Sequence, residues 1–108
     1  MLTPNVNLTN KTILVTGAAG FIGSNLVMEL LKTVNPVTIV GLDNVNDYYD
    51  VSIKEYRLAE IDKLATGYSD SKWIFVKGNI ADRPTIDELF TTYHFDVVVN
   101  LAAQAGVR

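Results

Sequence analysis

The sequence contains no cysteine, and it has only one histidine and three prolines among its 108 residues. Without cysteine the chain can form no disulfide, no thiolate nucleophile and no Cys-ligated zinc site, and the redox compartment is left open. It also lacks any apolar run approaching the roughly 20 residues that span a bilayer. Residues 1–7 lack the basic and apolar regions of a signal peptide. We therefore expect a cytoplasmic protein with no membrane partner.

Positive charge is scarce as well, with 9 Lys and Arg residues against 12 Asp and Glu and a net charge of −3. The basic residues are scattered and form no stripe, which argues against a nucleic-acid partner. Apolar residues make up 48% of the sequence, which is enough for a core. A chain of this length forms one small domain or a piece of a larger one.

Two kinds of apolar pattern alternate after a polar arm at residues 1–10, which we expect to be flexible. Short, mostly β-branched runs predict strands at 12–16, 37–42, 73–76 and 97–100. Apolar residues at helical spacing predict helices that start near Gly20, Ser52 and Asp82, with the last two as N-caps. Such alternation is typical of a parallel sheet with right-handed crossovers. The predicted fold is α/β, the first half of a doubly wound, Rossmann-type domain in the order β-α-β-α-β-α-β over residues 11–108.

The helical spacing also predicts which side chains face the core. Phe21 and Ile22 open the apolar stripe of the first helix, and Ile53 and Phe90 belong to the stripes of the second and third. We expect all four side chains to be buried.

A glycine-rich turn follows the first predicted strand, with Gly17, Gly20 and Gly23 in the spacing G-x-x-G-x-x-G. Gly17 permits the chain to reverse, Gly20 leaves room for a diphosphate beside the first helical N–H groups, and Gly23 lets the helix pack close to the strands. The unpaired amides and the helix dipole would hold the anion. The turn predicts a dinucleotide site, with a tight turn that binds no ligand as the alternative. An ATPase-type loop is excluded, because Ser24-Asn25 stands where that loop needs Lys-Ser or Lys-Thr.

An acidic residue, Asp43, ends the second predicted strand. A carboxylate there accepts hydrogen bonds from both ribose hydroxyls and repels a 2′-phosphate, so it favours NAD over NADP. A turn-forming Asp is the alternative interpretation. Asp47 and Asp50 lie nearby, but the spacing fits no calcium loop and we predict no metal site. Because the carboxyl ends of parallel strands share one edge, four neighbourhoods should converge on one site: those of Gly17, Asp43, Asn79 and Leu101.

Three segments carry a family resemblance: TGAAGFIG at 16–23, DNVNDYYDV at 43–51 and LAAQAGVR at 101–108. They resemble the extended short-chain dehydrogenase/reductase family and, within it, the NAD-dependent nucleotide-sugar epimerases of the UDP-glucuronate 4-epimerase group. The resemblance covers nearly the whole chain from Lys11 onward. It implies oxidation of a UDP-sugar such as UDP-glucuronate at C4 with NAD, rotation of the 4-keto intermediate and return of the hydride to the opposite face.

The resemblance also implies roles for individual residues. The pyrophosphate would be held by Gly17, Gly20, Phe21, Ile22 and Gly23. The adenosine ribose would be held by Asp43 and Asn44, with Asn46, Asp47, Tyr48 and Lys54 around it, and the adenine by Asn79 and Ile80. The nicotinamide half would lie above Leu101, Ala102, Ala103 and Gln104, and the nucleotide sugar would be approached by Gln104, Val107 and Arg108. Two positions depart from the family: Asn79 stands for Asp, which should weaken adenine binding, and Asn100 stands for His.

We expect this chain to contain no catalytic residue. The resemblance places a catalytic Tyr-x-x-x-Lys pair and a domain for the nucleotide sugar beyond Arg108. Tyr68 and Lys72 match that spacing but lie in a polar connector, and His94 has no evident partner. A sugar-nucleotide 4,6-dehydratase or reductase, or a non-catalytic NAD-binding module, remain alternatives. A strand at 97–99 without a further neighbour would leave an apolar edge, so we also expect self-association.

Overall fold

The computed structural model describes residues 9–34, 36–44, 51–79 and 81–101. Strands and helices alternate, which confirms the predicted order. The elements are β1 Thr12–Thr16, α1 Phe21–Thr33, β2 Thr38–Asp43, α2 Val51–Ala65, β3 Lys72–Lys77, α3 Arg83–Thr92 and β4 Val97–Asn100. The second strand lies one residue further along than predicted, so that Asp43 is its last residue. Most of the expected flexible arm, residues 1–8, lies outside the described part of the chain.

The strands pair in parallel in the order β3-β2-β1-β4, as the alternation predicted. β1 is central, and its last residue, Thr16, lies opposite Leu42 of β2 on one side and Asn100 of β4 on the other. Because β4 lies on the far side of β1 from β2 and β3, the direction of strand addition reverses between β3 and β4. The carboxyl ends beside such a reversal are where α/β sheets bind ligands.

Helices cover both faces of the sheet. On one face, α1 and α2 pack on β1 and β2 through a buried cluster that includes Ile13, Val15, Leu31, Ile39 and Ile61. On the other face, α3 packs through Leu89 on Leu14, Val40 and Leu42. Successive residues of β1 thus alternate between two apolar layers, which explains why the central strands carry almost no polar side chain. Within the described ranges, no helix has both the length and the apolar character to cross a membrane.

Four predictions about the inward faces of the helices are wrong. Phe21 and Ile22 are 69% and 65% exposed, and Ile53 and Phe90 are each 46% exposed. The first three belong to the first turns of α1 and α2, which begin after the carboxyl ends of β1 and β2 and therefore extend past the sheet. Phe90 packs edge-to-face on Phe95, with ring centroids 5.2 Å apart, and leaves its outer face in solvent.

The predicted caps hold only in part. Ser52 is not the N-cap of α2, because the helix already includes Val51. Asp82 is the N-cap of α3, but its carboxylate makes no capping bond to a backbone amide. It accepts a hydrogen bond of 2.7 Å from the Thr85 hydroxyl instead.

Candidate dinucleotide site

The glycine turn joins β1 to α1 at the carboxyl edge of the sheet. Gly17 has a φ of 75°, in the region that favours glycine, and its N–H donates to the Leu42 carbonyl at 2.8 Å. The Gly20 N–H donates to the Gly17 carbonyl at 3.0 Å, and the Ser24 N–H donates to the Gly20 carbonyl at 2.9 Å. The N–H groups of residues 21–23 precede that first helical bond and have no acceptor within the helix. Such amides at a helix N-terminus bind anions.

Gly23 allows the first turn of α1 to lie directly on the backbone of the glycine turn. A Cβ at this position would overlap the Gly17 carbonyl oxygen, and a Cβ at Gly20 would lie 3.2 Å from the same oxygen. The Gly17 carbonyl therefore occupies the place where a Cβ of Gly23 would lie, and it leaves little room for one at Gly20. For Gly23 this agrees with the expected close packing of the helix.

Asp43 is buried at the end of β2, with 6% of its surface exposed. Its Oδ2 accepts a hydrogen bond from the Ala19 N–H at 2.9 Å, and its Oδ1 lies 3.1 Å from the Lys54 Nζ. The two side chains of this ion pair are only 4% and 11% exposed. Asp43 therefore occupies the position predicted for a ribose acid, and it also ties the glycine turn to α2.

Arg57 belongs to the same site, although no motif indicated it. Its Nη1 donates to the Ala19 carbonyl at 3.4 Å, and its Cζ lies 5.7 Å from the centre of the Phe21 ring. Lys54 and Arg57 are three residues apart on α2 and so share one helical face. The spacing of these two cations on the helix after Asp43 was the available signal.

Side chains also fix the carboxyl end of β4. The Thr16 hydroxyl donates to the Asn100 Oδ1 at 2.6 Å. The Leu101 N–H lies 3.0 Å from the same hydroxyl oxygen and 3.2 Å from the Thr16 carbonyl oxygen, and so is shared between them. Asn100, the residue that departs from the family pattern, therefore helps to set the direction in which the chain leaves the strand at Leu101.

We expect Thr16→Val to lower the free energy of unfolding by about 1–2 kcal/mol, because the buried hydroxyl that joins the ends of β1 and β4 is lost. Urea denaturation would measure the change. Thr38→Val, at the opposite edge of the sheet, is the matched control and should alter stability less. Equal effects of the two substitutions would show that the Thr16 hydroxyl contributes nothing specific.

Asn79 follows β3 at the same edge of the sheet. The neighbouring Gly78 N–H donates to the Asp43 carbonyl at 3.0 Å, which brings the end of β3 next to the end of β2. The Asn79 Oδ1 accepts the Ala81 N–H at 2.8 Å and forms a local turn. This bond engages the side-chain oxygen of Asn79, one of the two residues expected to hold the adenine.

The structure thus brings the described candidates to one edge of the sheet: Gly17, Gly20, Phe21, Ile22, Gly23, Asp43, Asn44, Lys54, Asn79 and Leu101. The other candidates lie outside the described residues, namely Asn46, Asp47, Tyr48, Ile80, Ala102, Ala103 and Gln104, with Val107 and Arg108. No three His, Cys, Asp or Glu side chains form a metal-binding group among the residues that are described.

Tyr68 and Lys72 lie at the opposite edge. Lys72 pairs with Thr38 at the start of β2, and its N–H donates to the Val37 carbonyl at 2.9 Å. Five residues of extended strand, roughly 17 Å, separate Thr38 from Asp43. Tyr68 packs against the core cluster under α1 and α2. This placement keeps both side chains away from the candidate site.

Known proteins are similar to this chain in both sequence and fold. The family model described as GDP-mannose 4,6 dehydratase matches residues 14–108. Protein CapI of Staphylococcus aureus is 45% identical over 96 residues, which cover 89% of this chain and 26% of that protein. UDP-glucuronate 4-epimerase 4 of Arabidopsis thaliana is 43% identical over 97 residues, which cover 90% of this chain and 20% of that protein. The chain therefore spans about a quarter or less of the length of these relatives.

Two solved structures show the same architecture. The dTDP-glucose 4,6-dehydratase of Bacillus anthracis, in complex with NAD, has a TM-score of 0.70 and 28% identity, over 88% of this chain and 27% of that one. The UDP-glucose-4-epimerase of Stenotrophomonas maltophila, with bound NAD, has a TM-score of 0.68 and 28% identity, over 91% of this chain and 26% of that one. The predicted Rossmann-type fold is confirmed by these structures and by the parallel sheet itself.

Proposed function

This chain belongs to the GDP-mannose 4,6 dehydratase family of extended short-chain dehydrogenases/reductases, and on that premise we propose that it is the NAD-binding part of a nucleotide-sugar epimerase. The observation that carries the cofactor assignment is the buried Asp43 carboxylate, which is fixed to the glycine turn through the Ala19 N–H at 2.9 Å. It places an acid beside a helix N-terminus, whose N–H groups and dipole favour an anion such as a diphosphate.

In this proposal the N–H groups of residues 21–23 hold the pyrophosphate, and Asp43 and Asn44 hold the adenosine ribose. Leu101 begins the segment that supports the nicotinamide half. For the candidate residues outside the described part of the chain, we propose the cofactor-binding roles that the family resemblance implies. NAD, when bound, supplies the acceptor and donor of a hydride at the sugar carbon that is inverted. The side chains of this chain bind and orient the cofactor, and the proton transfer falls to a Tyr–Lys pair elsewhere in the enzyme.

The proposed reaction is 4-epimerisation of a UDP-sugar such as UDP-glucuronate. It is supported by the 43% identity to the Arabidopsis UDP-glucuronate 4-epimerase over 90% of this chain. A 4,6-dehydratase is the second candidate, because the matching family model carries that description. Separate incubations of UDP-glucuronate and of a nucleotide hexose with an enzyme that contains this sequence would distinguish the two reactions. The epimerase yields the C4 epimer, and the appearance of a 4-keto-6-deoxy sugar from a nucleotide hexose would favour the dehydratase.

Calorimetric titration of the 108-residue chain with NAD and, separately, with NADP tests the cofactor assignment. We expect NAD to bind more tightly than NADP, and we expect no turnover of a UDP-sugar by this chain. Circular dichroism on the same sample would establish that the chain is folded. A folded chain that binds neither nucleotide would contradict the proposal, and turnover would contradict the absence of catalytic residues.

The exposed edge of β4 also supports the proposal that copies of this chain associate. β4 pairs with β1 on one side only among the described strands. Val98 on this strand is 49% exposed. Leu101, which follows the strand, is 37% exposed, and Phe90 of α3 is 46% exposed. An apolar edge strand is a template for pairing with a second chain. The partner proposed here is a second copy, through the same edge.

We expect light scattering to show an apparent mass that rises with protein concentration. Val98→Lys should shift the chain to a monomer, because a charge on the edge strand would lose its hydration on pairing. Ile53→Lys removes an equally exposed apolar side chain from α2 and serves as the control that leaves association unchanged. A wild-type chain that stays monomeric at high concentration would contradict this proposal.

A further inference from the structure

The peptide group between Ala19 and Gly20 is held at both of its ends. Its carbonyl oxygen accepts a hydrogen bond from the Arg57 Nη1 at 3.4 Å, and its N–H donates to the Gly17 carbonyl at 3.0 Å. The carbonyl and the N–H of a trans peptide point in opposite directions, so the two bonds together set the orientation of its plane. This matters at Gly20, the N-cap of α1, because glycine lacks the Cβ that restricts φ in other residues. The contacts of this peptide therefore determine how the chain enters α1.

Within the described part of the chain, Arg57 is the donor to the Ala19 carbonyl. Ala19 is 0% exposed, and a buried carbonyl that loses its donor is costly. The N–H of the same residue is satisfied separately, by the Asp43 carboxylate at 2.9 Å. Arg57 thus completes the hydrogen bonding of a buried residue in the glycine turn, which an arginine that only adds charge to the surface would not do.

The Phe21 ring holds the guanidinium beside the turn. The ring centre lies 5.7 Å from the Arg57 Cζ, within the range of a cation–π contact. Phe21 is the first residue of α1, and Ala19 precedes the N-cap, so Arg57 contacts the chain on both sides of Gly20. This contact also gives a physical reason for an aromatic side chain that is otherwise in solvent.

We propose that Arg57 is a positioning residue for the anion-binding end of α1. It fixes the Ala19–Gly20 peptide group and, through it, the directions of the N–H groups of residues 21–23. The inference rests on the proposed binding of the NAD pyrophosphate by those N–H groups. Without Arg57 the peptide plane can turn about Gly20, the three N–H groups no longer converge on one anion, and binding of a diphosphate weakens. The proposed adenosine contacts lie at the end of β2 and are not affected by this rotation.

The test compares ADP, which contains the diphosphate, with adenosine, which lacks it. In calorimetric titrations we expect Arg57→Met to weaken the binding of both NAD and ADP by about tenfold, as for the loss of one charge-assisted hydrogen bond. The affinity for adenosine, followed by NMR titration because it is weak, should be unchanged. Amide hydrogen exchange at Gly20 should become faster in the same variant, because its bond to the Gly17 carbonyl then opens more often.

Arg83→Met is the matched control, because it removes an exposed arginine whose partner, Asp87, lies on the same helix α3. It should change neither the affinities nor the exchange at Gly20. Circular dichroism would verify that each variant is folded, and Arg57→Gln provides a second neutral substitution if Arg57→Met does not fold.

A folded Arg57 variant that binds NAD and ADP like the wild type would overturn the inference. An equal loss of adenosine affinity would do the same. Weaker ADP binding without faster exchange at Gly20 would also overturn it, since the guanidinium would then act through its charge alone. The two proposals fail separately. A wild-type chain that binds neither NAD nor ADP contradicts the cofactor assignment, whereas faster exchange at Gly20 in Arg57→Met still supports the role of Arg57 in the turn.

Discussion

Gly23→Ala is expected to abolish measurable NAD binding and to lower the free energy of unfolding by about 3 kcal/mol. The new Cβ would overlap the Gly17 carbonyl and would approach the Ala18 Cα to 3.1 Å. Both obstacles are backbone atoms, so no rotamer change can relieve the contact. α1 would have to move away from the glycine turn, and with it the N–H groups of residues 21–23 that are proposed to hold the pyrophosphate.

Urea denaturation and calorimetric titration with NAD would measure the two effects. Gly67→Ala is the matched control, because a Cβ there would lie 3.5 Å from the Leu64 carbonyl oxygen, an ordinary contact. That substitution should change stability by less than about 1 kcal/mol and leave NAD affinity unaltered. A Gly23→Ala chain that binds NAD like the wild type would show that the site does not depend on the close approach of α1.

The fold was predictable because its signals are local. Each strand is a short apolar run with β-branched residues, and each helix repeats apolar residues at its own period, so the element order follows from the sequence alone. The parallel pairing then follows from the alternation, since a helix between two strands returns the chain to the same edge. Asp43 and the glycine turn were placed at that edge for the same reason, and the Ala19–Asp43 hydrogen bond shows that they meet there.

Contacts between elements were not predictable in the same way. Helical spacing identifies an apolar stripe but not where the sheet beneath it ends, and so Phe21, Ile22 and Ile53 were expected to be buried. The role of Arg57 depends on how α2 crosses the glycine turn, which no local pattern encodes. The Trp73 ring lies where a Cβ on Gly41 would be, so a glycine inside β2 makes room for a side chain of β3. This contact is between two residues that are 32 positions apart in the sequence.

Asp43 has a structural role in the fold as well as its proposed role in NAD binding, and the two roles can be separated by experiment. The carboxylate is a partner of Lys54 and an acceptor for the glycine turn, in addition to its proposed contact with the ribose. Replacing both members of a buried ion pair lowers stability far less than replacing one of them, because a single replacement leaves an uncompensated charge in the interior. A pair of variants can therefore distinguish loss of folding from loss of the ligand contact.

We expect Asp43→Ala to lower the free energy of unfolding by about 3–5 kcal/mol, because it leaves the Lys54 ammonium buried without its anion. It should also abolish NAD binding. Asp43→Ala combined with Lys54→Met should recover much of the stability in urea denaturation, yet calorimetry should still detect no NAD binding, since the ribose acceptor is absent. If the double variant recovers both stability and NAD affinity, Asp43 acts only by holding α2 and the glycine turn together. If it recovers neither, the ion pair is not the source of the instability, and the loss comes from other contacts of Asp43, such as its bond to the Ala19 N–H.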